Sequence, residues 1–238
     1  MATRFRLTAS TTAPAVSPAL QSYTHNAPTT VRKQLLTSDA SALATTAYAP
    51  DAADHLVAGD ALQGQLVSEP MDSGIQFTNA DTIKYAAQWL EANAGNNLQA
   101  QLFVSIVSED GGTVRRTLRS KVLEGTEMAT SLTNRFHSTT QDGATYTTVA
   151  GDRLVVEISA SGTPTAAGGT QGHNASIRWG GNGAGGDLAE NDTETGTTFN
   201  PWIEFVPTIT FVAGQPTARR WGGVPYVGGV GGSGRSWG

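Results

Sequence analysis

The chain has no cysteine among its 238 residues, which excludes disulfides, thiolate metal sites and a cysteine nucleophile together. Small secreted domains often rely on disulfide staples; this chain must be held by its core or by assembly. Charge is also scarce, since 15% of residues are Asp, Glu, Lys or Arg and the formal net charge is -5. Binding a phosphate backbone needs concentrated Lys and Arg. The tight basic pairs are Arg32 with Lys33, Arg115 with Arg116 and Arg219 with Arg220. The second pair falls on successive strand positions, whose side chains face opposite ways. No nucleic-acid partner is expected. No run reaches the roughly 20 apolar residues that span a bilayer. Nor does an apolar stretch of signal-peptide length follow the basic residues between Met1 and Thr8. The expectation is a soluble protein made in a cytoplasm, with no membrane partner. The glycosylation patterns at Asn174 and Asn191 are then chance matches.

Recognisable catalytic motifs are missing as well. There is no GxxxxGK[ST] loop, and the GxSxG and GxGxxG spacings at 234–238 and 181–186 lie in glycine-rich stretches without the following helix that a nucleophile elbow or a dinucleotide site needs. The glycines of residues 180–186 lack the lysine and the following helix pattern of a phosphate cradle. The four histidines, His25, His55, His137 and His173, are widely spaced and form no HxH or HExxH pair. His137 continues the face of Thr133 and Arg135, which reads as a solvent-facing strand position. The paired acids of glycoside hydrolysis, about 5–9 Å apart, can come from any two strands, and nothing marks such a pair here. No cofactor and no enzyme activity are expected.

What the sequence does carry is alternation. Leu98, Ala100, Leu102, Val104 and Ile106 alternate with Gln99, Gln101, Phe103 and Ser105; Glu109 to Gly112 break the run, and Val114, Arg116 and Leu118 resume it. A period of two puts successive side chains on opposite faces of a strand, so this reads as an antiparallel hairpin. Leu154, Val156 and Ile158 face one way, with Val155 and Glu157 opposite. Further strands are expected from Leu62, and at 129–136, 146–149, 175–179, 202–205 and 208–212. Residues 82–90 fit a strand through Ile83, Tyr85, Ala87 and Trp89, and a helix through Ile83, Ala87 and Leu90; aromatic and β-branched content favours the strand. About ten strands with recurring turns point to an all-β antiparallel sandwich of the jelly-roll type.

Composition divides the chain into an extended arm at 1–60, rich in Thr, Ala, Ser and Pro, a sandwich domain at 61–212, and a glycine-rich arm at 213–238. The arms are expected to be ordered mainly by neighbouring subunits, with plain disorder as the alternative for the first. In the second, Trp221 and Trp237, with Arg220 and Arg235 nearby, are the candidate interface anchors. Trp89, Trp179 and Trp202 sit at strand positions and read as core or interface anchors rather than as a sugar-binding platform. The loop from Gly180 to Asn200 gathers Asp187, Glu190, Asp192 and Glu194. Calcium takes six to eight oxygens from such loops, so these carboxylates form a candidate calcium loop, although their spacing is not that of an EF-hand. A solvated loop is the plainer reading.

The stretches 152–158, 177–181 and 200–205, with the opening Arg4 to Leu7 and its Thr/Ala/Pro-rich sequel, resemble uncharacterised virion structural proteins of tailed bacteriophages. That resemblance implies a jelly-roll subunit of a capsid, neck, collar or tail, assembled with copies of itself and other virion proteins and located in the virion. It carries no catalytic residue across. The competing expectations are a carbohydrate-binding module, such as a phage receptor-binding domain that would add a glycan as partner, and, third, a glycan hydrolase.

Overall fold

The computed structural model describes residues 2–9, 12–24, 32–37, 44–48, 59–162, 175–180 and 186–213. In chain order the strands are β1 (Thr3–Arg6), β2 (Arg32–Leu35), β3 (Ala44–Tyr48), β4 (Gly59–Ser68), β5 (Gln76–Phe77), β6 (Thr82–Glu91), β7 (Leu98–Val107), β8 (Val114–Glu127), β9 (Thr133–Thr140), β10 (Tyr146–Thr147), β11 (Arg153–Gly162), β12 (Ala175–Trp179) and β13 (Trp202–Phe205). One sheet has six strands, ordered β1-β13-β6-β12-β3 with β9 on the other side of β6; a second has five, ordered β2-β4-β11-β7-β8; β5 and β10 pair separately. Apart from the parallel pair β2–β4, neighbours run antiparallel. The chain is an all-β sandwich, as the alternation predicts. The ambiguous 82–90 segment is strand β6, with Ile83, Tyr85, Ala87 and Trp89 all facing the core.

One apolar cluster lies between the sheets. It takes Leu98, Ala100, Leu102, Val104 and Ile106 from β7, Leu154, Val156 and Ile158 from β11, and Ile177 and Trp179 from β12. Its alternation explains why these segments are strands: a slip of one residue would turn the whole set outward. Two expected strands shift. In the segment 129–136 the strand begins only at Thr133; ahead of it Met128 N donates to the Leu98 carbonyl at 2.7 Å and the Ala129 carbonyl accepts from Glu91 N at 2.9 Å. Residues 208–212 form only a bridge, Met71 to Phe211. Pro201 and Pro207 keep β13 short, yet it lies inside the sheet between β1 and β6.

The described part of residues 1–60 is built into this sandwich. Phe5 and Leu7 are fully buried in its core, and β2 and β3 join the two sheets. Residues 12–24 cover the outer face of the five-stranded sheet, with Val16 on Val67, Val107 and Val155, and Leu20 and Tyr23 on Leu62. Beneath them Glu157, fully buried, accepts from Tyr23 Oη at 2.8 Å, Gln65 Nε2 at 2.9 Å and Gln21 N at 3.2 Å. The expectation that a neighbouring subunit places this stretch is therefore corrected for these residues: the chain's own sheets supply the apolar surface and the buried acceptor that hold it.

Candidate functional site

Two edges of the sandwich meet side by side: β8 closes the five-stranded sheet and β9 flanks the six-stranded one. Register turns Arg135, His137 and Thr139 of β9 inward, since they pair with Ala87, Tyr85 and Ile83 of the core face. On β8, Arg119 pairs with Val104 and Arg116 with Ile106, again opposite core-facing residues. Polar and charged side chains thus line a seam where apolar ones would close the core. His137 is half-buried beside Tyr85, with ring centroids 6.0 Å apart. The solvent-facing position expected for it is incorrect: the side chain points between the sheets, because the register on β6 and not the local polarity sets the face.

The seam is a linked network. Tyr85 Oη donates to Glu124 Oε2 at 3.1 Å, and Arg135 Nε stands 3.8 Å from Glu124 Oε1. Arg135 also donates through Nη2 to the Glu127 carbonyl. Arg119 Nη1 contacts Asp142 Oδ1 at 2.5 Å, and Arg116 Nη2 donates to the Asp142 carbonyl at 3.1 Å. Gly143, at φ +72°, makes this possible: a Cβ there would stand 1.8 Å from Arg116 Nη2. Burial pushes the Glu124 carboxyl up to about 8 and raises the Tyr85 phenol, next to that carboxylate. His137 moves the other way, lowered by burial and then by the Arg119 charge. At the far end Glu91 is raised to about 7, first by burial and further by neighbouring Glu127.

Unpartnered buried polar atoms concentrate here. They are Arg116 Nε, Arg119 Nε, Arg135 Nε, His137 Nε2, Gln141 Nε2 and Glu124 Oε1. Native structures leave few such atoms, and each calls for an explanation. Glu124 Oε1 and Arg135 Nε face each other; of the remaining four, those of Arg116, Arg119 and Gln141 are nitrogen donors. The seam is short of oxygen. Sequence reasoning misses it because its members come from three strands and carry no motif; the only trace is the clustering of arginines on β8.

An open cleft of about 410 Å³ lies elsewhere, lined by Ser108, Glu109, Asp110, Arg115, Val149 and Asp152 among others. Two of its acids, Asp110 and Asp152, are engaged internally. Asp152 Oδ2 accepts from Tyr146 Oη at 2.6 Å and Val149 N at 2.9 Å, while Asp110 accepts from Ser108 Oγ and Gly112 N.

The carboxylates of the candidate calcium loop are each engaged by other groups of the chain. Asp187 is held by Arg4 at 2.9 Å and Arg6 at 2.5 Å, Glu190 by Lys84 at 3.0 Å, Asp192 accepts from Phe136 N at 2.7 Å, and Glu194 caps Gly196 N at 2.5 Å. Four carboxylates spent on five partners do not converge on one ion. Among the described residues no group of three or more His, Cys, Asp or Glu is placed to hold a metal. The loop instead covers the outer face of the six-stranded sheet, anchored by Leu188 and Phe199 against Ala86, Phe136 and Trp202. Trp89, Trp179 and Trp202 are fully buried. The candidate interface residues Arg220, Trp221 and Trp237 lie outside the described residues.

No protein-family model matches the chain, and no curated protein matches it. Among solved structures it is similar to a CocE/NonD family hydrolase from Staphylococcus aureus, at 9% identity with a TM-score of 0.44, over 87% of this chain and 36% of that one. A second structure of a CocE/NonD family hydrolase from the same organism aligns at 9% identity and a TM-score of 0.40, over 74% of this chain and 34% of that one. The chain thus spans about a third of the hydrolase chains. The expectation of a non-enzymatic phage virion subunit is not borne out: both neighbours are hydrolases and neither is a virion protein. At such scores the likeness assigns no activity to this chain.

Proposed function

We propose that the chain is a β-sandwich binding module whose seam between β8 and β9 takes a compact oxygen-rich anion, a carboxylate or phosphate group on a small molecule. The observation that carries this reading is the surplus of buried, unpartnered nitrogens on Arg116, Arg119, His137 and Gln141. Guanidinium groups pair with such oxygens through short charge-assisted bonds. Glu124, neutral below about pH 8, adds an acidic hydrogen to the same wall without repelling the anion. The test is a titration of the full chain with inorganic phosphate and with succinate, following the imidazole signal of His137, assigned through His137→Gln. A saturable shift is expected, weakened about tenfold in Arg119→Met, as the loss of one charge-assisted bond implies. A His137 signal that no anion moves overturns the reading.

One observation favours a second reading, acid–base chemistry on that ligand. Glu124 and His137 flank the same Tyr85 and are driven in opposite directions, one kept protonated and the other kept neutral near neutral pH. Groups separated in this way suit proton donor and acceptor roles. Hydrolysis of a small ester with a bell-shaped pH profile, losing its alkaline limb in Glu124→Gln, is the expected sign; an unchanged profile removes it.

A further inference from the structure

Arg178 of β12 lies on the opposite side of the six-stranded sheet from the seam, under the segment that leads into β13. It is 2% exposed, and among the described residues its Nη2 donates to the Phe199 carbonyl at 2.6 Å. Its Nε and Nη1 have no partner. The other cations of this face are each matched by an acid: Arg4 by Glu204 and Asp187, Arg6 by Asp187, and Lys84 by Glu190. Arg178 is not paired with any carboxylate among the described residues. A guanidinium does not lose its proton in a protein, so burial leaves an uncompensated positive charge, an arrangement that is strongly unfavourable unless something neutralises it.

A purely structural role does not account for it. The covering segment is already fastened by Trp202 Nε1 to the Leu188 carbonyl at 2.7 Å, by Gln88 Nε2 to the Gly196 carbonyl at 3.0 Å and by Asn200 Nδ2 to the Gly186 carbonyl at 2.9 Å. A neutral donor would serve Phe199 as well, without the charge. On the same face Gln88 Oε1 and Asn200 Oδ1 are buried and lack a donor.

We infer that Arg178 is the charged centre of a separate oxyanion site on the outer face of the six-stranded sheet, one that takes a compact anion bearing a hydroxyl, such as hydrogen phosphate. The anion oxygens complete the guanidinium, and the hydroxyl serves an amide oxygen of Gln88 or Asn200. Sulfate, with equal charge and no hydroxyl at neutral pH, satisfies only the first of these needs and binds more weakly.

The experiment uses the full chain with inorganic phosphate and sulfate as probes. It reads the thermal midpoint and the Arg178 Nε–H resonance, which is assigned by its disappearance in Arg178→Met. In the wild type, phosphate is expected to raise the midpoint and shift that resonance saturably, with an affinity several-fold above that for sulfate. In Arg119→Met, where the seam is weakened, phosphate should still raise the midpoint and shift the Arg178 resonance, and adding Arg178→Met to that variant should abolish the remaining response, which separates this site from the proposed one. If Arg178→Met does not fold, Arg178→Lys takes its place for assignment, and the wild-type resonance still decides. An Nε signal unmoved by phosphate, or an Arg119→Met/Arg178→Met protein that responds like Arg119→Met alone, overturns the inference. So does a more stable Arg178→Met protein in combination with a wild type indifferent to anions.

Discussion

Replacing Glu124 by glutamine separates the cost of its buried carboxyl from everything else that titrates. In the folded chain burial lifts this carboxyl from 4.5 to about 8. The folded state therefore keeps a proton that the unfolded chain releases, and the sign follows: stability is full below the unfolded value and falls as pH rises toward the folded one. One pH unit corresponds to about 1.4 kcal/mol, so at neutral pH, some 2.5 units above the unfolded value, the loss is about 3 kcal/mol. Glutamine has the shape of the protonated acid, keeps an oxygen for Tyr85 Oη and never ionises. The variant and the wild type should be equally stable near pH 4, and the variant should lead by about 3 kcal/mol at neutral pH, the gap levelling off above about pH 8. Urea unfolding at a series of pH values, with the slope of the transition unchanged between the two proteins, measures this directly. Parallel stability curves would show that Glu124 is ionised and solvated in the native state, which would refute the buried-seam argument.

Trp202 is fully buried, donates to the Leu188 carbonyl at 2.7 Å and lies 3.7 Å beneath the Arg4 guanidinium. Trp202→Ala should cost about 3–5 kcal/mol by the usual scale for large buried aromatics, and limited proteolysis should then cut within 186–200 before the rest of the chain. Asp187→Asn removes the shared partner of Arg4 and Arg6; for this half-buried pair a loss of about 1–2 kcal/mol in denaturant unfolding is expected. Millimolar calcium should leave the wild-type midpoint unchanged, and a calcium-dependent rise lost in Asp187→Asn would restore the metal reading of this loop.

Much of the fold is legible in the residues themselves. Period-two alternation reports which side chains of a strand share a face, a local property, so β7, β11, β12 and β13 stand in the sequence nearly where they stand in the structure. The burial of Trp89, Trp179 and Trp202 is legible for the same reason. Partners are not local, and this is where reading along the chain stops. Thr3 pairs with Phe205 across some two hundred residues, and that pairing makes a Thr-rich opening part of the core rather than an arm. His137 faces inward because β6 fixes its register. The acids of 187–194 lose their calcium character because Arg4, Arg6 and Lys84 arrive from strands β1 and β6 to claim them. Arg178 and Glu124 look like ordinary polar strand residues until a loop or a second sheet covers them. Composition and spacing set which residues can be buried; only the closure of two sheets and their covering segments decided which charges were left there without a partner, since desolvation depends on everything that surrounds a group and not on its neighbours in the chain.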